Sequence, residues 1–315
     1  MEQKTEDKYQ LIIIGSGCAG LTSAIYAGRY KLKTLVLGSY FGGVIVEEAN
    51  VENYPGFVSI SGMELMKKFK ETVDSLNVPV VSGKVISIKK NEDKNKFNLT
   101  TDENKTYCAD AVLVSCGTKK LKLSIEGEDK FNGKGVSYCA TCDAPMFNKK
   151  TVAVIGGADS ACQAAILLSK HAKHVYLICR KDELRGEPIN VEHVTKNKEI
   201  EIIFNTNVIK VKGTNMLESI ELDKEYNGSK EISVKGVFVE IGSVPSTYFL
   251  DKLNINLTKK NEIIVDKCCK TNISGLFAAG DVTDTPLRQL VTACGQGAIA
   301  ALSAYKYILR KKRSE

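Results

Sequence analysis

Leu11-Ile-Ile-Ile14-Gly15-Ser-Gly17-Cys-Ala-Gly20 places a short apolar run directly before glycines at the spacing Gly-x-Gly-x-x-Gly. Such a run is typical of a strand that is buried on both faces of a parallel sheet. A helix-like pattern of small residues follows over 21–27, and a second apolar run over 34–37. The order predicts a strand–helix–strand unit, in which the glycines form a tight turn and let a pyrophosphate approach the backbone. A phosphate there meets N–H groups at the start of the helix.

The same unit recurs in the middle of the chain. Thr151-Val-Ala-Val-Ile155 leads into Gly156-Gly157-Ala158-Asp159-Ser160-Ala161, a helix expected to end near Lys170, and a strand over 174–178. Ala158 stands where the pattern has its second glycine, so its methyl group is expected to crowd a pyrophosphate. The sequence therefore predicts two nucleotide-binding units of the α/β class.

The residues after the second strand of each unit bear on which nucleotide binds. An acidic residue at that point pairs with a ribose 2′-hydroxyl, but the first unit has Gly38-Ser39 there. The second unit has Arg180 and Lys181, with Arg185 shortly after. Cations suit a 2′-phosphate, which favours NADPH over NADH. The alternative is a solvated basic turn.

The glycine motifs at residues 15–20 and 156–161 are called the first and second fingerprint. Cys139-Ala-Thr-Cys142-Asp143 lies between them in the sequence. Two cysteines at this spacing readily form a reversible disulfide, and the pKa of such a thiol can fall from about 8.5 toward neutrality. The thiolate is the species that attacks another disulfide. Asp143 is placed to carry a proton to or from a departing sulfur. A dithiol bracketed by two nucleotide-binding fingerprints indicates an oxidoreductase.

The other cysteines do not indicate a metal site. The chain has ten cysteines, but a structural zinc site needs a second pair at ligand spacing, and neither Cys108 with Cys116 nor the adjacent Cys268 and Cys269 supplies one. The thiols that lie among small apolar residues are expected to be inert small hydrophobes: Cys18, Cys116, Cys162 and Cys294. His171 and His174 have no partner at ligand spacing and are expected to be solvated.

A third segment, Ile273-Ser-Gly-Leu-Phe-Ala-Ala-Gly280-Asp281, predicts an apolar strand that ends in glycine and aspartate. Arg288-Gln289 and a small-residue helix over 295–302 follow it. Because ligands bind at the carboxyl ends of strands in open α/β sheets, Asp281 is expected at a ligand site.

Composition argues against several other classes of protein. With 43% hydrophobic and 26% charged residues, and no apolar run of about eighteen residues, the sequence predicts a soluble globular chain with no membrane segment. The net charge of +7 is spread out, and the basic cluster Arg310-Lys-Lys-Arg313 is expected to be a solvated tail, because no nucleic-acid-binding motif accompanies it. Residues 1–8 lack the apolar core of a secretory signal, which predicts a cytoplasmic protein.

The motifs and their order resemble the low-molecular-weight thioredoxin reductases, homodimeric FAD flavoproteins of the pyridine nucleotide-disulfide oxidoreductase group. The resemblance covers about residues 9–309. Val51-Glu-Asn-Tyr-Pro-Gly-Phe57 is similar to the family segment whose asparagine, here Asn53, approaches the flavin. Phe277-Ala-Ala-Gly-Asp281 with Arg288-Gln289 is similar to the late FAD motif, in which the aspartate holds the flavin side chain and the glutamine approaches the ring.

This resemblance implies two Rossmann-like three-layer domains and two cofactors, FAD and NADPH. Residues 1–118 and 247–315 would form a discontinuous FAD domain, and residues 119–246 an inserted NADPH domain that carries the redox-active disulfide. The implied FAD contacts are Gly15, Ser16, Gly17, Ala19, Gly20, Gly42, Gly43, Asn53, Gly117, Gly280, Asp281, Arg288 and Gln289. The implied NADPH contacts are Gly156, Gly157, Asp159, Ser160, Ala161, Arg180, Lys181 and Arg185.

The chain departs from the family pattern in ways that bear on the electron donor. The family's Gly-Gly-Gln is Gly42-Gly43-Val44, its nucleotide fingerprint carries Ala158, and its His-Arg-Arg-x-x-x-Arg is Cys179-Arg180-Lys181-x-x-x-Arg185. Relatives that use ferredoxin or other donors have eroded the last two motifs. NADH, ferredoxin and a deazaflavin therefore remain alternatives to NADPH. A non-catalytic redox sensor is a further alternative, and a ferredoxin–NADP reductase is disfavoured because that family lacks the Cys-Ala-Thr-Cys pair.

The resemblance also implies a thioredoxin-disulfide reductase. Electrons would pass from NADPH through FAD to the Cys139–Cys142 disulfide, and then to a thioredoxin-like protein with its own Cys-x-x-Cys. Cys142 would face the flavin, Cys139 would exchange with the protein substrate, and Asp143 would act as the acid–base. A homodimer, and rotation of the inserted domain between two orientations, are implied in the same way.

Overall fold

A computed structural model describes residues 7–48, 51–93 and 95–314 of the chain. Most of the segment on which the secretory-signal expectation rests, residues 1–6, lies outside the described residues. Within the described ranges the helices are α1 (Cys18–Arg29), α2 (Gly62–Ser75), α3 (Glu128–Phe131), α4 (Ala140–Asp143), α5 (Asp159–Ser169), α6 (Pro188–Lys196) and α7 (Leu290–Ser314). Short 3₁₀ turns cover Gly43–Glu47, Ala144–Phe147 and Tyr248–Leu250.

The strands of the described residues follow in chain order. They are β1 (Asp7–Ile14), β2 (Thr34–Gly38), β3 (Val80–Ser82), β4 (Val85–Asn91), β5 (Lys96–Thr101), β6 (Thr106–Val114), β7 (Thr118–Lys120), β8 (Val136–Ser137), β9 (Thr151–Ile155), β10 (His174–Ile178), β11 (Ile200–Ile203), β12 (Val208–Gly213), β13 (Leu217–Tyr226), β14 (Ser229–Ser233), β15 (Gly236–Val239), β16 (Ser243–Pro245) and β17 (Leu276–Ala278).

The chain divides into two compact units. The first unit combines Met1–Lys119 with Val244–Glu315, and the second unit is Lys120–Ser243. The chain passes from one unit to the other within β7 and within β16. These crossings lie next to the domain boundaries expected from the sequence, at 118/119 and 246/247.

The first unit is built on a mixed sheet with the strand order β3-β2-β1-β6-β5-β4, in which β17 also pairs with β6. Strands β1, β2, β3, β6 and β17 run parallel, whereas β4 and β5 are antiparallel additions. Ile14 lies opposite both Leu37 and Val114, and Ala278 lies opposite Val114. The loops that leave β1, β2, β6 and β17 therefore emerge at one edge of the sheet.

Helices α1 and α7 pack against each other in this unit. The Ser23 hydroxyl donates to the carbonyl oxygens of Ala19, at 2.8 Å, and of Gly297, at 2.9 Å. A side chain at Gly297 would collide with the Ala19 carbonyl oxygen, so glycine permits this close approach. The two helix backbones are therefore in direct contact near the start of α1.

The basic C-terminal cluster is exposed at Arg310, Lys312 and Arg313, but Lys311 is not solvated as the sequence predicts. Helix α7 runs on to Ser314, well past the expected 295–302. The Lys311 ammonium group bonds the Asp110 carboxylate at 3.0 Å and the Asn95 carbonyl oxygen at 2.6 Å. The expectation was wrong for Lys311, because an ion pair between residues far apart in sequence leaves no local pattern.

The second unit has a fully parallel sheet with the strand order β11-β10-β9-β15-β8 and a separate antiparallel sheet, β12-β13-β14. Strand β9 continues into the second fingerprint, and β10 ends before the expected cations. His174 is not free in solvent as expected, because its Nε2 lies 2.9 Å from a Glu201 carboxylate oxygen. No helix in either unit's described portion is long and apolar enough to cross a membrane.

Candidate functional site

The first fingerprint forms a turn that has no room for side chains. Gly15 has φ +110°, and a side chain there would collide with the backbone of Ser115. A side chain at Gly20 would meet the Gly15 carbonyl oxygen. Helix α1 begins directly after Gly17, which caps it without a side-chain hydrogen bond. Because no side chain covers this helix start, its N–H groups are available to an anionic group.

A second glycine turn lies against the first one. Gly42 and Gly17 form an isolated parallel bridge, and the Gly42 N–H donates to the Ser16 carbonyl oxygen at 2.9 Å. A Cβ at Gly43 would lie 3.3 Å from the Gly17 Cα. Val44, where the family has glutamine, has 48% of its surface exposed and supplies no polar group.

Asn53 and Gln289 meet directly. The Asn53 Nδ2 donates to the Gln289 Oε1 at 3.1 Å. Gln289 immediately precedes α7, and Asn53 belongs to the segment that Val51 and Ile60 close by pairing with each other. The contact brings together the two segments that the sequence assigns to the flavin.

Asp281 follows β17 at the edge of the sheet from which the first fingerprint also emerges. Its carboxylate is half-buried, and burial raises its pKa although Arg288 acts in the opposite direction. Among the described residues, none donates a hydrogen bond to this carboxylate, and Arg288 instead bonds Glu262 at 2.6 Å. Gly280, with φ +81°, donates its N–H to the Gln296 Oε1 at 2.7 Å. Gly117, with φ +61°, lies in the loop that follows the neighbouring strand β6.

These residues fit a flavin adenine dinucleotide. The glycine turns leave backbone that a pyrophosphate can approach, and the uncapped start of α1 favours its charge. The half-buried Asp281 carboxylate is free to accept hydrogen bonds from hydroxyl groups such as those of a sugar or polyol.

The second fingerprint has the same geometry at its first glycine. A side chain at Gly156 would collide with the Glu240 carbonyl oxygen, and α5 begins after Ala158, which caps it without a side-chain bond. The Ala158 side chain is exposed at this point. Ser160 and Ala161 lie in the first turn of α5. Asp159 is engaged within the unit, because its carboxylate accepts hydrogen bonds from the Glu187 N–H at 2.7 Å and from Asn190 at 3.0 Å.

The expected cations lie beside this turn. Arg180, Lys181 and Arg185 are exposed, and none of them forms an ion pair with another described residue. The Arg185 N–H donates to the Gly157 carbonyl oxygen at 2.7 Å, so its backbone lies against the fingerprint. Cys179, where the family has histidine, is buried, and a side chain at Gly157 would collide with its sulfur. The arrangement fits a nucleotide that carries an additional phosphate.

Cys139 and Cys142 form a disulfide with a Cα–Cα distance of 5.3 Å. The Cys142 N–H points at the Cys139 sulfur over 3.1 Å, and the Ser137 hydroxyl bonds the Cys139 backbone. Asp143 is half-buried, and its carboxylate makes no hydrogen bond with a residue that the structure describes. The pair therefore has one sulfur that a backbone donor stabilises, and a free carboxylate next in sequence.

Burial raises the pKa of several cysteines outside this pair, whereas the pKa of Cys294 is lowered. Burial raises the pKa of Cys116 to about 12, of Cys162 to about 11 and of Cys269 to about 12. Cys18 and Cys294 pack against apolar side chains, but the polar neighbours of Cys294, first among them Cys18, lower the pKa of its thiol to about 7.

Comparison with known proteins places this geometry in a family. Residues 9–297 match the family described as pyridine nucleotide-disulphide oxidoreductase. The chain is 40% identical over 308 residues to a 34.2 kDa protein in the rubredoxin operon of Clostridium pasteurianum, covering 97% of this chain and 99% of that protein. It is 37% identical over 314 residues to a thioredoxin reductase of Listeria innocua, covering 98% of this chain and 97% of that enzyme.

A solved structure is similar as well. The thioredoxin reductase of Lactococcus lactis in its FR conformation matches with a TM-score of 0.91 and 35% identity, covering 96% of this chain and 99% of that one. The expected resemblance and the expected fold class of two Rossmann-like domains are confirmed.

Proposed function

Because this chain belongs to the pyridine nucleotide-disulphide oxidoreductase family, we propose that it is a thioredoxin-disulfide reductase. Electrons pass from NADPH through FAD and the Cys139–Cys142 disulfide to a thioredoxin-like protein. The single observation that carries the proposal is the disulfide itself, formed in the same compact unit as the second fingerprint. Its place in the sequence, between two nucleotide-binding glycine motifs, supports a role in electron transfer over a structural one.

Thioredoxin reductases of this family use FAD and NADPH, as the resemblance implied. When bound, FAD supplies the redox chemistry that couples oxidation of a hydride donor to reduction of a disulfide. The residues of the first unit hold this cofactor in position. The glycine turns at residues 15–20 and 42–43 would receive the pyrophosphate. Gly117 and Gly280 lie just after the neighbouring strands β6 and β17. Asp281 accepts hydrogen bonds from hydroxyl groups, and Arg288 stays paired with Glu262.

The two sulfurs of the dithiol have different roles. Once the disulfide is open, the Cys142 N–H stabilises negative charge on the Cys139 sulfur, which makes Cys139 the better candidate for the exchanging thiolate. That thiolate attacks a disulfide sulfur of the protein substrate and forms a mixed disulfide, and Cys142 then releases the substrate as a dithiol. Asp143 supplies the proton that the leaving thiolate needs.

The exposed cations of the second unit support NADPH as the donor. Arg180, Lys181 and Arg185 have no ion-pair partner among the described residues and are free to pair with a phosphate. Ala158 and Cys179 favour a second candidate, a reductase that uses NADH, ferredoxin or a deazaflavin. The exposed Ala158 methyl stands on the anion-binding turn, and the buried Cys179 sulfur cannot replace a histidine at the nucleotide.

The remaining parts of the proposal rest on the family alone. The partner is a thioredoxin-like protein with its own Cys-x-x-Cys, the chain forms a homodimer, and it acts in the cytoplasm without nucleic acid or membrane.

The test begins with the absorption spectrum of the purified protein, before and after NADPH, NADH or reduced ferredoxin is added in parallel. We expect flavin bands that NADPH bleaches, and reduction of an added thioredoxin-like protein. Cys142→Ser should keep the bleaching and abolish disulfide turnover, whereas Cys268→Ser, a change at another half-buried thiol, should leave both intact. A colourless protein, or turnover that survives Cys142→Ser, contradicts the proposal.

A further inference from the structure

The Glu128 carboxylate is buried in the second unit, and none of the steps described above uses it. Glu128 begins α3, and only 2% of its surface is exposed. It accepts three hydrogen bonds: from the Leu123 N–H at 2.8 Å, from the Ser124 N–H at 2.6 Å and from the Tyr138 hydroxyl at 2.5 Å. Because a buried carboxylate is costly unless it is hydrogen-bonded, these three donors stabilise its charge.

Glu128 connects two segments of the second unit. Two of its donors lie in residues 120–124, the entry segment, at which the chain passes into this unit. The third is Tyr138, which directly precedes Cys139. Ser124 has φ +59°, in the left-handed region that disfavours residues with a side chain, and its hydrogen bond to Glu128 offsets that cost. The entry segment is therefore held against the residue before the redox-active pair.

Tyr138 is fixed at its ring, its hydroxyl and its backbone. The ring packs against an apolar cluster that includes Phe131. Burial and the bond to Glu128 raise the pKa of Tyr138, so its hydroxyl remains a donor at neutral pH. The Tyr138 carbonyl oxygen accepts a hydrogen bond from the Lys120 ammonium group, which also bonds the Glu240 carboxylate at 3.0 Å. The entry segment thus holds this residue at two points, once through Glu128 and once directly.

We propose that Glu128 is a positioning residue for the Cys139–Cys142 pair, and that it acts through Tyr138. Because Tyr138 and Cys139 share a peptide bond, a fixed Tyr138 restricts where the Cys139 sulfur can lie. That restriction holds the sulfur near Cys142 and favours closure of the disulfide. The inference rests on the proposed function, in which this pair exchanges electrons with a protein substrate, but the position of the pair can be measured without that substrate.

Only a carboxylate satisfies all three donors at residue 128. One oxygen of Glu128 accepts from Leu123 and Tyr138, and the other accepts from Ser124. In Glu128→Gln an NH₂ group replaces one oxygen, and in either orientation of the amide that group faces a backbone N–H that cannot donate to it. Tyr138→Phe removes the hydroxyl and keeps the ring in its apolar cluster. The two variants therefore weaken the same connection at opposite ends.

The test equilibrates the flavin-loaded, full-length protein with mixtures of dithiothreitol and its oxidised form. One dithiothreitol reduces one Cys139–Cys142 disulfide and is itself oxidised to a disulfide, so the ratio of the two protein forms gives an equilibrium constant. Samples are quenched with acid, alkylated and digested with trypsin, which leaves both cysteines in peptide 135–149. Mass spectrometry then reports the reduced fraction of the pair.

Tyr226→Phe is the matched control. The Tyr226 hydroxyl also bonds a glutamate of this unit, Glu201, but neither residue is next to a cysteine of the pair in sequence. Its removal deletes the same kind of hydrogen bond without touching the connection to Cys139. Tyr226→Phe should therefore have the equilibrium constant of the wild type.

We expect Tyr138→Phe and Glu128→Gln each to shift the equilibrium toward the dithiol by about 2- to 10-fold, the effect of one lost hydrogen bond. The double variant should shift it by less than the product of the two single effects, because both changes act on one connection. Since either single variant tests that connection, failure of one to fold does not prevent the test.

Wild-type equilibrium constants in both single variants overturn the proposal, and so does an equal shift in Tyr226→Phe. Fully multiplicative effects in the double variant also contradict it, because they would show that Glu128 does not act through Tyr138. If the wild type reduces no thioredoxin-like protein, the proposed function fails, whereas the equilibrium with dithiothreitol still decides the role of Glu128.

Discussion

The Asn53 side-chain amide donates a hydrogen bond to the Gln289 side-chain oxygen over 3.1 Å, across 236 residues of sequence. One residue follows the glycine turn at Gly42, and the other immediately precedes α7. Neither segment is a regular helix or strand at this point, so the contact itself fixes their spacing. It therefore pre-organises the part of the first unit that we assign to the flavin.

Asn53→Ala should weaken flavin binding without changing the fold. A hydrogen bond between neutral side chains contributes about 1 kcal/mol, which corresponds to an affinity for FAD about fivefold lower. Titration of the deflavinated protein with FAD, followed by fluorescence, measures the change. Asn254→Ala removes an exposed amide that has no side-chain bond to a described residue, and should leave the affinity unchanged. Equal losses for the two variants would contradict the role of Asn53.

Local patterns predicted the parts of the fold that depend on local physics. The apolar run that ends at Ile14 and the glycines after it determine strand, turn and helix together, because a side chain at Gly15 has no space. Pairings between distant residues are different. The bond between Lys311 and Asp110 depends on how α7 packs. No periodicity in a single sequence encodes that packing, so the sequence suggested that Lys311 is solvated.

Asp143→Asn should slow disulfide turnover by about 10²- to 10⁴-fold, because the amide cannot protonate a leaving thiolate. Reduction of the flavin by NADPH should proceed at the wild-type rate, since that step does not involve Asp143. Stopped-flow bleaching and steady-state reduction of a thioredoxin-like protein separate the two steps. Asp129→Asn, at an exposed carboxylate of the same unit, should affect neither. A loss confined to flavin reduction would assign Asp143 a different role.

Ala158→Gly should lower the KM for NADPH and for NADH alike, because it removes a methyl group from the turn that meets the pyrophosphate common to both. Relief of about 1–2 kcal/mol of crowding corresponds to about a 5- to 30-fold change. Arg180→Gln is the matched variant, and should raise the KM for NADPH alone, since only that nucleotide carries a 2′-phosphate. If neither KM changes while reduced ferredoxin bleaches the flavin, the alternative donor is correct.

Alkylation of Cys294 should depend on pH near neutrality. Its pKa of about 7 means that the thiolate fraction rises about tenfold between pH 6 and pH 8, and iodoacetamide reacts with the thiolate. The groups that face the two sulfurs are Tyr54 and Asp281, whose charge acts on Cys18. Tyr54 and Cys18 keep their protons throughout this range. The intact protein is alkylated for timed intervals and digested with trypsin, and Cys294 is followed in peptide 289–306. Cys162, in peptide 151–170, should react far more slowly at every pH, because burial raises its pKa to about 11. A flat profile for Cys294 would contradict the environment described for it.

Two glycines in the same helix should respond to alanine in opposite directions. A Cβ at Gly297 would collide with the Ala19 carbonyl oxygen, so Gly297→Ala should force α1 and α7 apart at a cost of about 1–3 kcal/mol. At Gly295 a Cβ would meet nothing within 4 Å, so Gly295→Ala should stabilise the helix by about 1 kcal/mol. Thermal unfolding followed by circular dichroism should therefore show a lower Tm for Gly297→Ala and a slightly higher one for Gly295→Ala. Equal shifts in Tm for the two variants would contradict the close backbone contact at Gly297.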